Sequence, residues 1–312
     1  MADPLRQLRR AATRVAIRQA IAGSAVLPLG LYRPAIRSLT GLADAVPAVR
    51  GRVLRHMRLA LGEDVPADAA RRYFRHVAWM LTDSLTTFHR GIAATGLAEK
   101  IRFDDSIELL DAAVAEGLGV VLASPHWVGH ELVAAVVNLR HPMAMFVRQE
   151  STPHEQEQKL QWYRALGAEV VLRPQRVSTL DDVLAYLRVL RRGGVLAITP
   201  DLLADPREGV ETRLFGRPAI LHGGAFALSQ AARAPMIRVS GRFEADQTMT
   251  VMFDRAPSML GAGDHDATLR AAVLDWCGWF EDKLHAAPDN WLFWLDKRWS
   301  RFLTTAPGAG AT

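Results

Sequence analysis

One cysteine, Cys277, stands in 312 residues. A single thiol excludes an intramolecular disulfide framework and fits a reducing compartment. Long apolar runs are missing too. The longest uncharged stretch near the N-terminus covers residues 19–32, and Gly23, Pro28 and Gly30 interrupt it; a spanning helix needs about 20 apolar residues. There is no G-x-S-x-G elbow, so Ser124 lacks the setting of a hydrolase nucleophile. No helix-turn-helix, RNP or zinc-finger pattern occurs, which leaves a nucleic-acid partner without support.

Charge is present but unevenly placed. The net charge is +5, yet residues 1–58 hold eleven arginines against Asp3 and Asp44, a local +9 that leaves about −4 for the rest. Such an N-terminus predicts an anionic partner. Leu5, Leu8, Ala12, Val15 and Gln19 recur at helical spacing among Arg6, Arg9, Arg10, Arg14 and Arg18. Residues 5–31 therefore read as a helix lying on an anionic membrane surface; a surface helix packed on the domain is the competing reading.

Periodicity divides the chain. Residues 1–98 read as helices only, the longest over 67–90 after Pro66. Beyond about residue 101, helices and short apolar strands alternate. Helices are predicted at 107–116, 129–139, 153–166 and 179–192, and strands at 119–123, 143–147, 169–172 and 195–199. A helix at 225–232, strands at 236–243 and 248–253 and a long helix at 267–285 follow. Unbroken apolar strands separated by helices predict an α/β fold, a mainly parallel central sheet flanked by helices, with an N-terminal helical segment. The Ala/Gly/Pro-rich residues 306–312 read as a disordered tail. In such sheets ligands bind beyond the carboxyl ends of the strands, which makes 124–131 and 200–206 the candidate site loops.

The strongest chemical signal is Pro125-His126-Trp127-Val128-Gly129-His130-Glu131, directly after the first apolar strand. A strand-end histidine and a carboxylate in the next helix's first turn can fold toward each other. The carboxylate would hold one ring N–H and leave the other nitrogen free to accept a hydroxyl proton. His126 and His130 are also four apart, but Trp127 and Gly129 occupy the places where zinc hydrolase motifs carry glutamate, and no other Cys/His cluster supplies ligands. No metal is expected. Five of the eight tryptophans fall within residues 276–299, beside Lys297, Arg298 and Arg301. That cluster reads either as a headgroup-level anchor or as an aromatic core closing the sheet.

His126-x4-Glu131 resembles the H-x4-D/E motif of the glycerolipid and lysophospholipid acyltransferases. Over residues 45–300 the chain is most similar to the branch of bacterial lipid A late acyltransferases and phosphatidylinositol mannoside acyltransferases. Phe146-Val147-Arg148 stands where that branch has a "YRP" block. Thr199-Pro200-Asp201, then Leu214-Phe215-Gly216-Arg217-Pro218, stands in place of "DQD" and "FFG-x-P", and Gly223-Gly224-Ala225 resembles its small-residue helix start. Two departures are plain: Gln149 replaces the proline after Arg148, and Leu202-Leu203 replaces the second acid after Asp201.

The resemblance implies an O-acyltransferase moving an acyl chain from a thioester to a hydroxyl of a membrane glycolipid or lysolipid, either lipid A-type or phosphatidylinositol mannoside-type. The alternatives are a diverged enzyme of a specialised lipid or polyene pathway and, at a distance, a zinc-dependent hydrolase. It implies His126 as general base, with Glu131 and Asp201 as the carboxylates that orient it. Arg148, Arg173, Arg217, Gly223 and Gly224 would bind substrate, and Arg176 and Arg213 would extend an anionic-headgroup rim. No cofactor is implied, since acyl-CoA or acyl-ACP is the donor substrate, with acyl carrier protein as a partner in the second case. Residues 1–98 would be a membrane-associating region, 99–305 the catalytic core, and attachment peripheral, on the cytoplasmic face of the inner membrane.

Overall fold

The computed structural model describes residues 28–174, 180–259 and 264–305. Three helices open the described chain: α1 (Leu29–Ala45), α2 (Pro47–Leu61) and α3 (Ala69–Thr95). A single turn, α4 (Leu97–Lys100), leads into strand β1 (Ile101–Phe103). Then α5 (Ile107–Ala115), β2 (Val120–Ala123), α6 (His130–Arg140), β3 (Met143–Arg148), α7 (Pro153–Ala165), β4 (Glu169–Arg173), α8 (Leu180–Arg191) and β5 (Val195–Ile198) alternate. A hairpin of β6 (Val210–Leu214) and β7 (Arg217–Leu221) precedes α9 (Gly224–Ala232), β8 (Met236–Phe243), β9 (Met249–Arg255) and α10 (His265–Ala286). Two 3₁₀ turns, Pro288–Asn290 and Leu292–Leu295, and α11 (Lys297–Thr304) close the fold.

Seven strands form one sheet in the order β1-β9-β8-β2-β5-β3-β4. All neighbours run parallel except β8 and β9. The α/β reading with a mainly parallel sheet is therefore correct. Its central strand, β2, is buried along its whole length, as a strand covered by helices on both faces must be. Short β1 and the β6–β7 hairpin lack a readable period and were not predicted. Leu203 bridges to Leu221, which seats the hairpin beside the loop that follows β5.

The N-terminal helices do not stand apart. Val53 and Met57 of α2 and Ala70, Tyr73 and Phe74 of α3 share a core with Val121 and Ala123 of β2. The His56 ring on α2 donates to the Trp294 carbonyl at 2.7 Å, and Lys100 and Arg33 reach the buried Asp83 carboxylate on α3 at 2.5 and 3.4 Å. The arginines before residue 28, Arg176 and the tail from residue 306 lie outside the described residues.

The membrane-anchor reading of the tryptophan cluster is corrected. Trp276, Trp291, Trp294 and Trp299 are at most 2% exposed; Trp291 packs edge to face 4.8 Å from both Trp294 and Trp299, and Trp276 stacks on Phe280 at 5.0 Å. Large rings that meet in a core at these distances remove far more apolar surface from water than a headgroup-level site would. Lys297, Arg298 and Arg301 are exposed beside this core.

Gly129 joins these layers. It caps α6 with φ 86°, a region that side-chain-bearing residues rarely occupy. A Cβ there would stand 2.8 Å from Trp79 Cζ3 on α3. Gly129→Ala therefore combines backbone strain with overpacking and should destabilise the fold by about 2–4 kcal/mol, read as a shift of the denaturant midpoint.

Candidate active site

β2 and β5 are neighbours in the sheet, with Ala123 opposite Ile198, so the loops leaving their carboxyl ends emerge side by side. The first carries His126 and the second Asp201. The His126 ring donates from Nδ1 to Asp201 Oδ1 at 2.7 Å. The backbone N–H of the same histidine donates to Oδ2 at 2.9 Å, and the Trp291 indole N–H donates to Oδ2 at 2.8 Å. Asp201 is fully buried. Burial by itself pushes its pKa up; the adjacent His126 and the hydrogen bonds from His126 and Trp291 outweigh it and hold the carboxyl below its ordinary range. With Nδ1–H committed to a carboxylate, Nε2 carries the lone pair.

The second carboxylate of the sequence reading goes elsewhere. Glu131, in the first turn of α6, accepts from Trp162 Nε1 and Tyr163 Oη of α7, both at 2.7 Å. It braces two helices and was expected to hold the histidine. The reason is positional: Asp201 comes from the adjacent strand and meets both the ring and the backbone of His126, while α7 supplies Glu131 with two donors of its own. Burial and then the Glu131 charge raise the Tyr163 pKa, so its hydroxyl stays a donor.

His126 opens into a cavity of about 990 Å³, at the upper end of small-molecule pockets. Leu122, Val133, Val137, Met145 and Val239 line one apolar side, and Phe146, Val183, Tyr186, Ala225 and Leu228 another. Arg148, Lys159, Arg173, Glu208 and His222 add charge. Arg148 and Arg173 end neighbouring strands and face each other in register. Neither guanidinium has a carboxylate partner among the described residues, an unfavourable pairing of like charges unless an anion lies between them. Burial, and then the nearby Arg173, Arg298 and Arg148 partly offset by Glu208, lower the His222 pKa.

The remaining predicted binding residues separate. Gly224 begins α9, lines the cavity and has open space where a Cβ would go. Gly223 is a packing glycine: its Cβ would meet Val210 Cγ2 at 2.8 Å. Arg217 is removed from the site, because its guanidinium donates to the Thr305 carbonyl at 2.6 Å, closing the hairpin onto the end of α11. Arg213 donates to Gly216 within the β6–β7 turn.

Sequence reasoning missed three neighbours. Phe293 packs its ring 4.2 Å from that of His126. His130, 5.0 Å away between ring centres, donates from Nδ1 to the Trp127 carbonyl; burial and then His126 lower its pKa. The third, Trp291, lies 90 residues from its acceptor, and no local pattern signals that pairing. Among the described residues no group of three His, Cys, Asp or Glu side chains could hold a metal ion.

Asp201→Asn should lower kcat on the order of 10³–10⁴-fold, as a wrong tautomer does in a hydrolase triad. Glu131→Gln, whose carbonyl still accepts from Trp162 while its NH2 donates to the Tyr163 oxygen, should cost no more than about tenfold. Stability against pH gives a second readout for Asp201. The folded Asp201 carboxyl titrates below its unfolded value, so its contribution is complete above about pH 4 and lost as pH falls through the folded value. Asp201→Asn should flatten that acid dependence in denaturation series.

No curated protein matches the chain. The model of the bacterial lipid A biosynthesis acyltransferase family matches residues 6–301, which takes in every residue of the cavity, and the chain belongs to that family of lipid acyltransferases.

Proposed function

We infer that the enzyme transfers an acyl chain from a thioester to a hydroxyl of a membrane glycolipid or lysolipid, with His126 as general base. The observation that carries this reading is the His126–Asp201 pair opening into a large apolar cavity. His126 Nε2 takes the proton of the acceptor hydroxyl as its oxygen attacks the thioester carbonyl carbon. Asp201 stabilises the imidazolium. The tetrahedral intermediate then collapses, the C–S bond breaks, and the imidazolium returns its proton to the leaving thiolate. The nucleophile belongs to the substrate, which is why the chain needs no serine or cysteine beside His126. Water in place of the acceptor would give slow thioester hydrolysis.

The apolar walls suit acyl chains, and the paired Arg148 and Arg173 suit a phosphate. Both acyl-CoA and acyl-ACP carry phosphate next to the pantetheine arm, as does a phospholipid acceptor. Peripheral attachment to the cytoplasmic face of a membrane completes the reading. No helix among the described residues is long and apolar enough to cross one. Exposed Arg52 and Arg55 on α2 and exposed Lys297, Arg298 and Arg301 on α11 lie on helices that touch, and each cation near an anionic surface contributes about 1 kcal/mol.

Two experiments test this. His126→Ala should lower transfer of labelled acyl groups into lipid extracts by at least about 10²-fold with an unchanged circular dichroism spectrum; full turnover in the folded variant removes His126 from the mechanism. Vesicle co-sedimentation across a salt series should show binding to anionic vesicles that weakens with salt and falls when Arg6, Arg9, Arg10 and Arg14 are neutralised. Equal binding to neutral vesicles contradicts the electrostatic attachment.

A further inference from the structure

The segment 288–293 does more than close the aromatic core. Trp127 and Trp291 form an antiparallel bridge, in which the Val128 N–H donates to the Asn290 carbonyl at 2.7 Å and the Leu292 N–H to the His126 carbonyl at 2.9 Å. The same short stretch lays Phe293 on the His126 ring and aims the Trp291 indole at Asp201. Its own position is fixed from two sides. Asp289 accepts from Arg72 Nε of α3 at 3.2 Å, with His76 Nδ1 at 3.3 Å, and Asn290 Nδ2 donates to the Gly241 carbonyl of β8 at 2.6 Å. Backbone and side chains of one strap thus hold both members of the dyad.

We propose that Trp291 is a positioning residue of the dyad: its indole N–H fixes the Asp201 carboxylate and takes up part of its charge, which sets the basicity of His126. The proposal rests on the reading of His126 as general base. The physical argument concerns how one buried carboxylate is shared. Oδ1 serves the imidazole, and Oδ2 serves two N–H groups. A donor on Oδ2 stabilises the anion and weakens its pull on an imidazolium at Oδ1. Loss of the indole N–H would leave the Oδ2 side of the carboxylate with one donor and strengthen its pull on the ring. The N–H also prevents the carboxylate from turning away, because Oδ2 is held by two donors in different directions.

The other titratable and charged groups around the dyad are few. His130 and Glu131 stand at the start of α6, with Glu131 occupied by Trp162 and Tyr163. Asp289 of the strap is turned to Arg72 and His76. Arg148, Lys159, Arg173, Glu208 and His222 line the shared cavity. None of these donates to Asp201, so Trp291 is the one side-chain donor on Asp201 besides His126 among the described residues.

Trp291→Phe deletes the N–H and keeps most of the packing. Imidazole resonances of ¹⁵N-histidine-labelled protein, followed through a pH titration without substrate, should show the His126 midpoint rising by about 0.5–1 unit. The acid limb of kcat/KM should move up by the same amount. Trp276→Phe is the control: that indole is equally buried, yet its N–H has no hydrogen-bond partner among the described residues, and its loss should leave the His126 midpoint in place. A folded Trp291→Phe protein with an unmoved His126 midpoint overturns the proposal, as does an equal shift in Trp276→Phe. Should Trp291→Phe fail to fold, the wild-type protein still decides, because the Trp291 indole resonance must follow the His126 titration, and a resonance indifferent to it overturns the proposal. The resonance readouts need no turnover, so their failure is distinct from retained activity in His126→Ala, which would overturn the base itself.

Discussion

A carboxylate taken wholly out of water is costly unless every lone pair it turns inward meets a donor. Asp201 is in that position. Its charge is kept by one imidazole N–H, one backbone N–H and one indole N–H, and those donors come from the loop after β2 and a C-terminal strap that nothing else brings to one point. The register of β2 with β5 sets the distance between the first loop and the acid. The aromatic core behind Trp291 sets the direction of the third donor. Much of the architecture is a consequence of satisfying this one anion.

The same requirement explains the unusual weight of tryptophan near the C-terminus. Trp291 and Trp294 each place an N–H on an acceptor inside the protein, Asp201 and the Pro288 carbonyl, while their ring bodies fill the core. A residue that combines large apolar area with a single polar tip can seal a buried charge and pack at once. Trp162 does this at the opposite side of the cavity, for Glu131. The two acids of the site are therefore alike in their partners and different in their role. One faces an imidazole that can gain a proton, and the other ties α6 to α7.

Function follows from the asymmetry of the cavity. Its apolar walls lie on both sides of the strand ends, while Arg148 and Arg173, without a carboxylate partner among the described residues, stand at the ends themselves. A ligand with a long hydrocarbon and an anionic group satisfies both. Membership of the lipid A biosynthesis acyltransferase family fits that demand.

The order of helices and strands was legible because fully buried strands such as 119–123 carry unbroken apolar runs and the helices between them carry a 3.6-residue period. His126 was legible because it directly follows such a strand. Short β1 and the β6–β7 hairpin were not, since three to five residues of mixed polarity carry no period. The choice between Glu131 and Asp201 was beyond local reading as well. Spacing made Glu131 the nearer acid in sequence, but distance in space is set by strand pairing, and β5 delivers Asp201 to the ring Nδ1 and the backbone N–H of His126. The fate of the tryptophans was equally undecidable, because an indole suits a bilayer headgroup and a protein core alike, and only the packing of α10 and the strap against the sheet resolves which surface covers it. The sequence by itself determined the layers, the strand ends and the candidate histidine; the tertiary structure decided which carboxylate holds that histidine, because a buried charge is assigned by where its hydrogen-bond donors converge.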